Sequence, residues 1–134
     1  MANNKPLIII TGGTRGLGLA TAEYLSKLNW NLIIIDISKE ASKVYKESKN
    51  IAEVSKKLKN KNIVDFFFGD LSIEKNVKNI FKKIKKKYNK IDGLVTFAGG
   101  DIKGSDKKAG GGKANNNNLF KNKKEFKEIF NRNF

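Results

Sequence analysis

The chain has 134 residues, 39% of them apolar, enough for one domain with a real core. Lysine and arginine number 28 against 13 acids, a formal net charge of +15, and there is neither cysteine nor histidine. That composition excludes disulfides, thiolate metal sites and any chemistry that needs an imidazole as base or ligand, so no metal is expected. The opening residues lack the apolar core of a secretory signal, and no apolar run approaches the roughly 20 residues that span a bilayer. A cytoplasmic protein with no membrane partner is the expectation.

Strand and helix patterns then alternate along the chain. Leu7–Thr11 reads as a strand, and residues 16–28 as a helix with Leu17, Ala20, Leu25 and Leu28 on its core face. Asn31–Asp36 is a second strand. From Ser38, which can serve as N-cap, a lysine-rich helix is expected over 38–60, with Ala41, Val44, Tyr45, Ile51, Ala52, Val54 and Leu58 as candidates for burial. Residues 63–69 form a third strand whose Phe66, Phe67 and Phe68 suit cover on both faces. Ile73, Val77, Ile80, Phe81, Ile84 and Tyr88 recur at three- and four-residue steps, giving the clearest helix, with Ser72 able to cap it. Residues 93–98 are a fourth strand, 99–118 a loop rich in glycine and asparagine, and 119–134 a last helix carrying Phe126, Ile129, Phe130 and Phe134 on one side.

This alternation implies an α/β fold, a doubly wound parallel sheet of the Rossmann type with strand order 3-2-1-4. The fourth strand, Leu94 to Ala98, would then be an apolar open edge, and the last helix stops at Phe134 with no capping sequence. The expectation is a single dinucleotide-binding domain over residues 1–134, cut after the fourth strand and the helix that follows, with a catalytic C-terminal half missing.

The most informative segment is Thr11, Gly12, Gly13, Thr14, Arg15, Gly16, Leu17 and Gly18, between the first strand and the first helix. A tight strand-to-helix turn of this kind needs residues without a Cβ, both to reach positive φ and to let backbone approach a pyrophosphate. The helix that follows aims its free N–H groups and positive dipole end at that anion. Asp36 ends the second strand eighteen positions beyond Gly18, where a dinucleotide site places an acid on the adenosine ribose hydroxyls.

The charge of +15 invites a nucleic-acid reading. Only Arg15 and Arg132 are arginines, however, and the lysines are spread along the chain. The densest run, Lys82, Lys83, Lys85, Lys86 and Lys87, falls on the polar side of a helix with a complete apolar side. It is read as a solvated face, without a nucleic-acid partner.

With these residues assembled, the chain resembles the short-chain dehydrogenase/reductase family along its whole length. The family's T-G-x-x-x-G-x-G signature is matched by Thr11, Gly12, Gly16 and Gly18, and its acid after the second strand by Asp36. Asp70 and Leu71 match the pair that contacts adenine. Ala98 and Gly99 match the pair closing the fourth strand, and Asn133 matches the helix asparagine that supports a proton-relay water. The resemblance implies an NAD(P)-dependent oxidoreductase that interconverts an alcohol and a carbonyl by hydride transfer. Gly12, Thr14, Arg15, Gly16, Leu17 and Gly18 would hold the pyrophosphate side, Asp36 the adenosine ribose, and Ala98 and Gly99 the nicotinamide ribose, with Ile37 also among the cofactor-binding residues. It also implies a small-molecule substrate and a homo-oligomer at full length. NAD is preferred over NADP, because Asp36 repels a 2′-phosphate and no arginine follows it, although Arg15 is a feature of the family's NADP-binding members.

Thr96 and Phe97 stand where the family has two asparagines that brace the strand by hydrogen bonds. The connection from Gly99 to Asn133 is longer than is usual, and its loop either helps to form a substrate pocket or is a surface excursion. The family's serine, tyrosine and lysine lie beyond its corresponding helix. Tyr45 and Lys49 do spell Y-x-x-x-K, but after the second strand, on the wrong side of the fold. Residues 1–134 alone are therefore expected to be inactive. The alternative is a catalytically inactive nucleotide-binding module or degenerate homologue.

Overall fold

The computed structural model describes residues 5–99 together with the helical positions 124, 127, 130 and 131. The chain divides into two compact units, Met1–Phe97 and Ala98–Phe134. The first holds four strands, β1 (Leu7–Thr11), β2 (Asn31–Asp36), β3 (Val64–Phe68) and β4 (Gly93–Thr96), in the order β3-β2-β1-β4. Every pairing is parallel, with Ile9 opposite Ile33 and Leu94, and Ile33 opposite Asp65. The expected doubly wound order is the observed one.

The sheet is central because β1 and β2 are buried along their whole length. Side chains alternate across a strand, so each strand feeds both faces. Ile8, Ile10, Leu32 and Ile34 pack on one face with Leu19 and Ala22 of α1 (Gly16–Lys27) and Val54 and Leu58 of α2 (Ile51–Leu58). Leu7, Ile9, Ile33 and Ile35 pack on the other with Ile80 and Ile84 of α3 (Glu74–Lys87). Fifteen buried apolar side chains among the described residues form these two layers. At about 1.5–3 kcal/mol each, their burial is the main force holding the strands in register. The α3 lysines 82, 83, 85, 86 and 87 are exposed.

Four local expectations are corrected. Helix α1 buries Gly18, Leu19, Ala22 and Ser26, while Leu17, Ala20 and Leu28 are exposed and Leu25 is half-buried. Both stripes have helical spacing; the close seating of Gly18 against the preceding turn sets the rotation and turns Leu17 outward. The single helix expected over 38–60 is instead a 3₁₀ helix (Lys39–Lys43), a turn, and α2, with Val44, Tyr45 and Ala52 exposed. Lys46, at φ 59°, breaks the helical path. The Asn50 side chain then starts α2 by accepting from Glu53 N–H at 3.0 Å. Ser72 does not cap α3: its N–H and hydroxyl both donate to Asp70 Oδ1, and Ile73 holds the N-cap position. Finally, Phe66, Phe67 and Phe68 are half-buried, because β3 lies at the end of the four-strand order.

Strand β4 is one of the two ends of that order, as expected, with Leu94 57% exposed, and it ends at Thr96 rather than Ala98. Among the described residues no helix is long and apolar enough to cross a membrane. In the second unit Lys124, Lys127, Phe130 and Asn131 are helical, within the span expected for the last helix. The rest of that helix, and residues 100–118 of the expected loop, lie outside the described residues.

Candidate dinucleotide site

Strands β1, β2 and β3 run parallel, so their C-terminal ends lie along one side of the sheet. From them extend Gly12 to Gly16, then Asp36 with Ile37, and Asp70 with Leu71. In open α/β sheets a ligand binds in the crevice outside these strand ends.

The turn from β1 into α1 is built by close backbone approach. Gly12 N–H donates to the Ile35 carbonyl at 2.7 Å, which ties the start of the turn to β2. At Gly18, the first inward position of α1, a Cβ would lie 2.0 Å from the Gly12 carbonyl oxygen. Gly16 has φ +53°, a conformation that residues with a Cβ rarely adopt. Arg15 is the extended N-cap of α1 and places its guanidinium 5.5 Å from the centre of the Tyr45 ring.

Two carboxylates meet this turn. Asp36 is 6% exposed; its Oδ2 accepts from Thr14 N–H at 3.1 Å and from the Thr14 hydroxyl at 2.6 Å. Oδ1 accepts from Ile37 N–H at 2.8 Å. Thr14 is fully buried, so Asp36 supplies the acceptor that its buried donors need. Glu47, from the turn before α2, accepts from Gly16 N–H at 2.7 Å. The mouth of α1 thus already receives negative oxygen, as a helix N-terminus favours.

Farther along the strand ends, Asp70 Oδ1 takes both Ser72 donors and its carbonyl accepts from Asn76 Nδ2. Leu71 is half-buried against the α3-side core. Ile37 is 56% exposed.

A family model described as short chain dehydrogenase matches residues 6–134. The chain belongs to that family. Over 91 residues it is 34% identical to the 3-hydroxyacyl-CoA dehydrogenase type-2 of Drosophila melanogaster, covering 68% of this chain and 31% of that protein. Among solved structures it is similar to a 3-oxoacyl-acyl-carrier-protein reductase from Brucella melitensis in complex with NAD. That likeness has a TM-score of 0.70 and 26% identity, and covers 99% of this chain and 45% of the other. It also has the fold of Pseudomonas aeruginosa RhlG, solved as an NADP active-site complex, with TM-score 0.59, 23% identity and coverage of 72% and 35%. The chain spans about a third of the length of the curated relatives it matches and under half of these solved chains.

In this member of the family, Gly12, Thr14, Arg15, Gly16, Leu17, Gly18, Asp36 and Ile37 gather at the β1–α1 turn and the end of β2. Asp70 and Leu71 follow β3. Ala98 and Gly99 belong to the second unit, with Gly99 at φ 149°, and Asn133 lies outside the described residues. Sequence reasoning missed the direct clasp of Asp36 on Thr14, and it missed Glu47 and Tyr45 at the mouth of α1. Tyr45 and Lys49 do not share a helix as expected; both lie in the segment between the 3₁₀ helix and α2. An Asn-x-x-Glu signature at Asn50 and Glu53 was the signal that could have placed that break.

Proposed function

We propose that the protein is an NAD(P)-dependent oxidoreductase that interconverts a small-molecule alcohol and carbonyl, with residues 1–134 as its cofactor-holding part. The observation that carries this is the β1–α1 turn. A Cβ-free approach at Gly18 and a charged clasp from Asp36 on Thr14 shape the turn that leads into the α1 N-terminus, where an anion is favoured. Gly16 N–H already takes a carboxylate oxygen, which supports a pyrophosphate fit at the same place.

Gly12, Thr14, Arg15, Gly16, Leu17 and Gly18 hold the pyrophosphate side. Asp36 and Ile37 meet the adenosine ribose, Asp70 and Leu71 the adenine, and Ala98 and Gly99 the nicotinamide ribose. These residues would hold the dinucleotide, and the chemistry that group would supply there is donation or acceptance of the hydride. Asn133 steadies a proton-relay water. Among the described residues no acid or base is positioned for the accompanying proton, so residues 1–134 by themselves are expected to bind without turnover.

NAD is the cofactor of choice in this reading. Asp36 sets a fixed negative charge at the ribose end, held by three hydrogen bonds. Arg15, the one residue that would favour a 2′-phosphate, lies over Tyr45. Calorimetric titration tests this. NAD is expected to bind at least about tenfold more tightly than NADP, one like-charge contact being worth more than about 1.4 kcal/mol. Asp36→Ala is expected to weaken NAD and narrow the ratio. Equal affinities in the wild type, or an unchanged ratio in the variant, remove Asp36 from the ribose site.

A further inference from the structure

The segment that leaves the 3₁₀ helix bends back over the phosphate turn. Val44 and Tyr45 are half exposed, and the Tyr45 ring lies so close to Gly16 that a Cβ there would be 3.2 Å from it. Lys46 follows at φ 59°, a conformation that side-chain-bearing residues rarely adopt. That kink delivers Glu47, whose Oε2 accepts from Gly16 N–H at 2.7 Å. Among the described residues no lysine or arginine pairs with this carboxylate, so the end of α1 compensates its charge.

The backbone of the same segment is anchored elsewhere. Lys57 of α2 donates to the Glu47 carbonyl and, at 3.1 Å, to the Ser48 hydroxyl, and Ser48 is buried. Lys49 N–H donates to Glu53 at 2.6 Å. The carboxylate of Glu47 is exposed and its main chain is held, so the side chain can swing away without uprooting the segment.

We propose that Glu47 is a built-in competitor for the cofactor's pyrophosphate, held on Gly16 by the kinked turn over Tyr45 to Ser48. The proposal rests on the dinucleotide reading of the β1–α1 turn. A carboxylate and a pyrophosphate oxygen want the same thing, an N–H at the positive end of a helix, and they repel each other at contact distance. Binding is therefore an exchange of one anion for another. The measured affinity is the intrinsic one reduced by the fraction of molecules in which Glu47 has left.

The experiment titrates NAD and ADP-ribose calorimetrically into the wild-type protein and three variants. Glu47→Ala is expected to tighten both ligands about fivefold, the gain when a competitor occupying about four-fifths of the molecules is removed. Lys46→Gly accepts positive φ without strain, holds the turn shut, and is expected to weaken both about twofold. Glu40→Ala removes an equal charge from a residue engaged with Lys43 and is expected to change neither. A wild type that binds while Glu47→Ala binds equally or more weakly overturns the competitor and leaves the dinucleotide reading intact. An equal gain in Glu40→Ala overturns it as well, by assigning the effect to net charge. Failure of every form to bind NAD or ADP-ribose removes the dinucleotide reading, and the competitor with it.

Discussion

At Gly18 the chain has no room for a side chain. The 2.0 Å separation between a built Cβ and the Gly12 carbonyl oxygen is a backbone clash, and no rotamer change relieves it. Gly18→Ala must push α1 away from the turn, taking Leu19 and Ala22 out of the core they share with Ile8 and Ile10. Overpacking of this kind costs about 1–3 kcal/mol, and the upper end applies because backbone has to move. Urea unfolding should show that loss, and a variant as stable as wild type would mean that the turn gives way more easily than its geometry implies. The importance of Gly18 was legible in the sequence, because the glycine signature is a backbone requirement written into residue type. The role of Thr14 was only half legible. Its place in the turn was evident, but its hydrogen bonds to Asp36 join residues twenty-two positions apart, and no local pattern carries such a link.

The four strands lay within a residue or two of where alternation put them, because apolar runs bounded by turn residues leave few other assignments. The 38–60 region was the failure. Lysine-rich sequence with scattered apolar residues satisfies helical spacing almost anywhere, so periodicity could not reveal a break there. What divides it is local hydrogen bonding. Asn50 accepts from Glu53 N–H, and Glu53 in turn accepts from Lys49 N–H. Together they start α2, which runs for eight residues and ends at Leu58. Asn50→Ala should cost about 1 kcal/mol through the lost cap. It should also loosen the Glu47 turn that the start of α2 anchors, so amide hydrogen exchange at 46–52 should quicken more than at α1. Uniform quickening across both helices would show that the cap serves global stability alone. The rotation of α1 was misread for a related reason. Two apolar stripes fit the helix equally well, and a contact with the turn, not hydrophobicity, chooses between them.

Across the whole molecule, strand β3 and helix α3 are joined by a charged cluster that should shape stability against pH. The Tyr88 hydroxyl donates to Asp65, and Lys87 pairs with the same carboxylate. Burial and the adjacent carboxylate push the Tyr88 phenol above its ordinary value of 10.0. Burial pushes the Asp65 carboxyl up, but hydrogen bonds from Lys87 and Tyr88 outweigh it and leave the group below its ordinary 3.8. The two signs act on opposite flanks. A raised phenol contributes stability that is whole below pH 10 and is lost as pH rises beyond it, because the unfolded chain releases that proton first. A lowered carboxyl contributes stability present above pH 3.8 and lost as pH falls below it. Self-repulsion deepens the acid flank, since protonating the 13 acids raises a charge that is already +15. Thermal unfolding across pH should therefore show a plateau, about pH 5 to 9, with a fall on either side. Tyr88→Phe should flatten the alkaline fall while the acid one remains, because Lys87 still holds Asp65. Alkaline slopes that match in wild type and variant would detach Tyr88 from stability and assign that limb to lysine deprotonation.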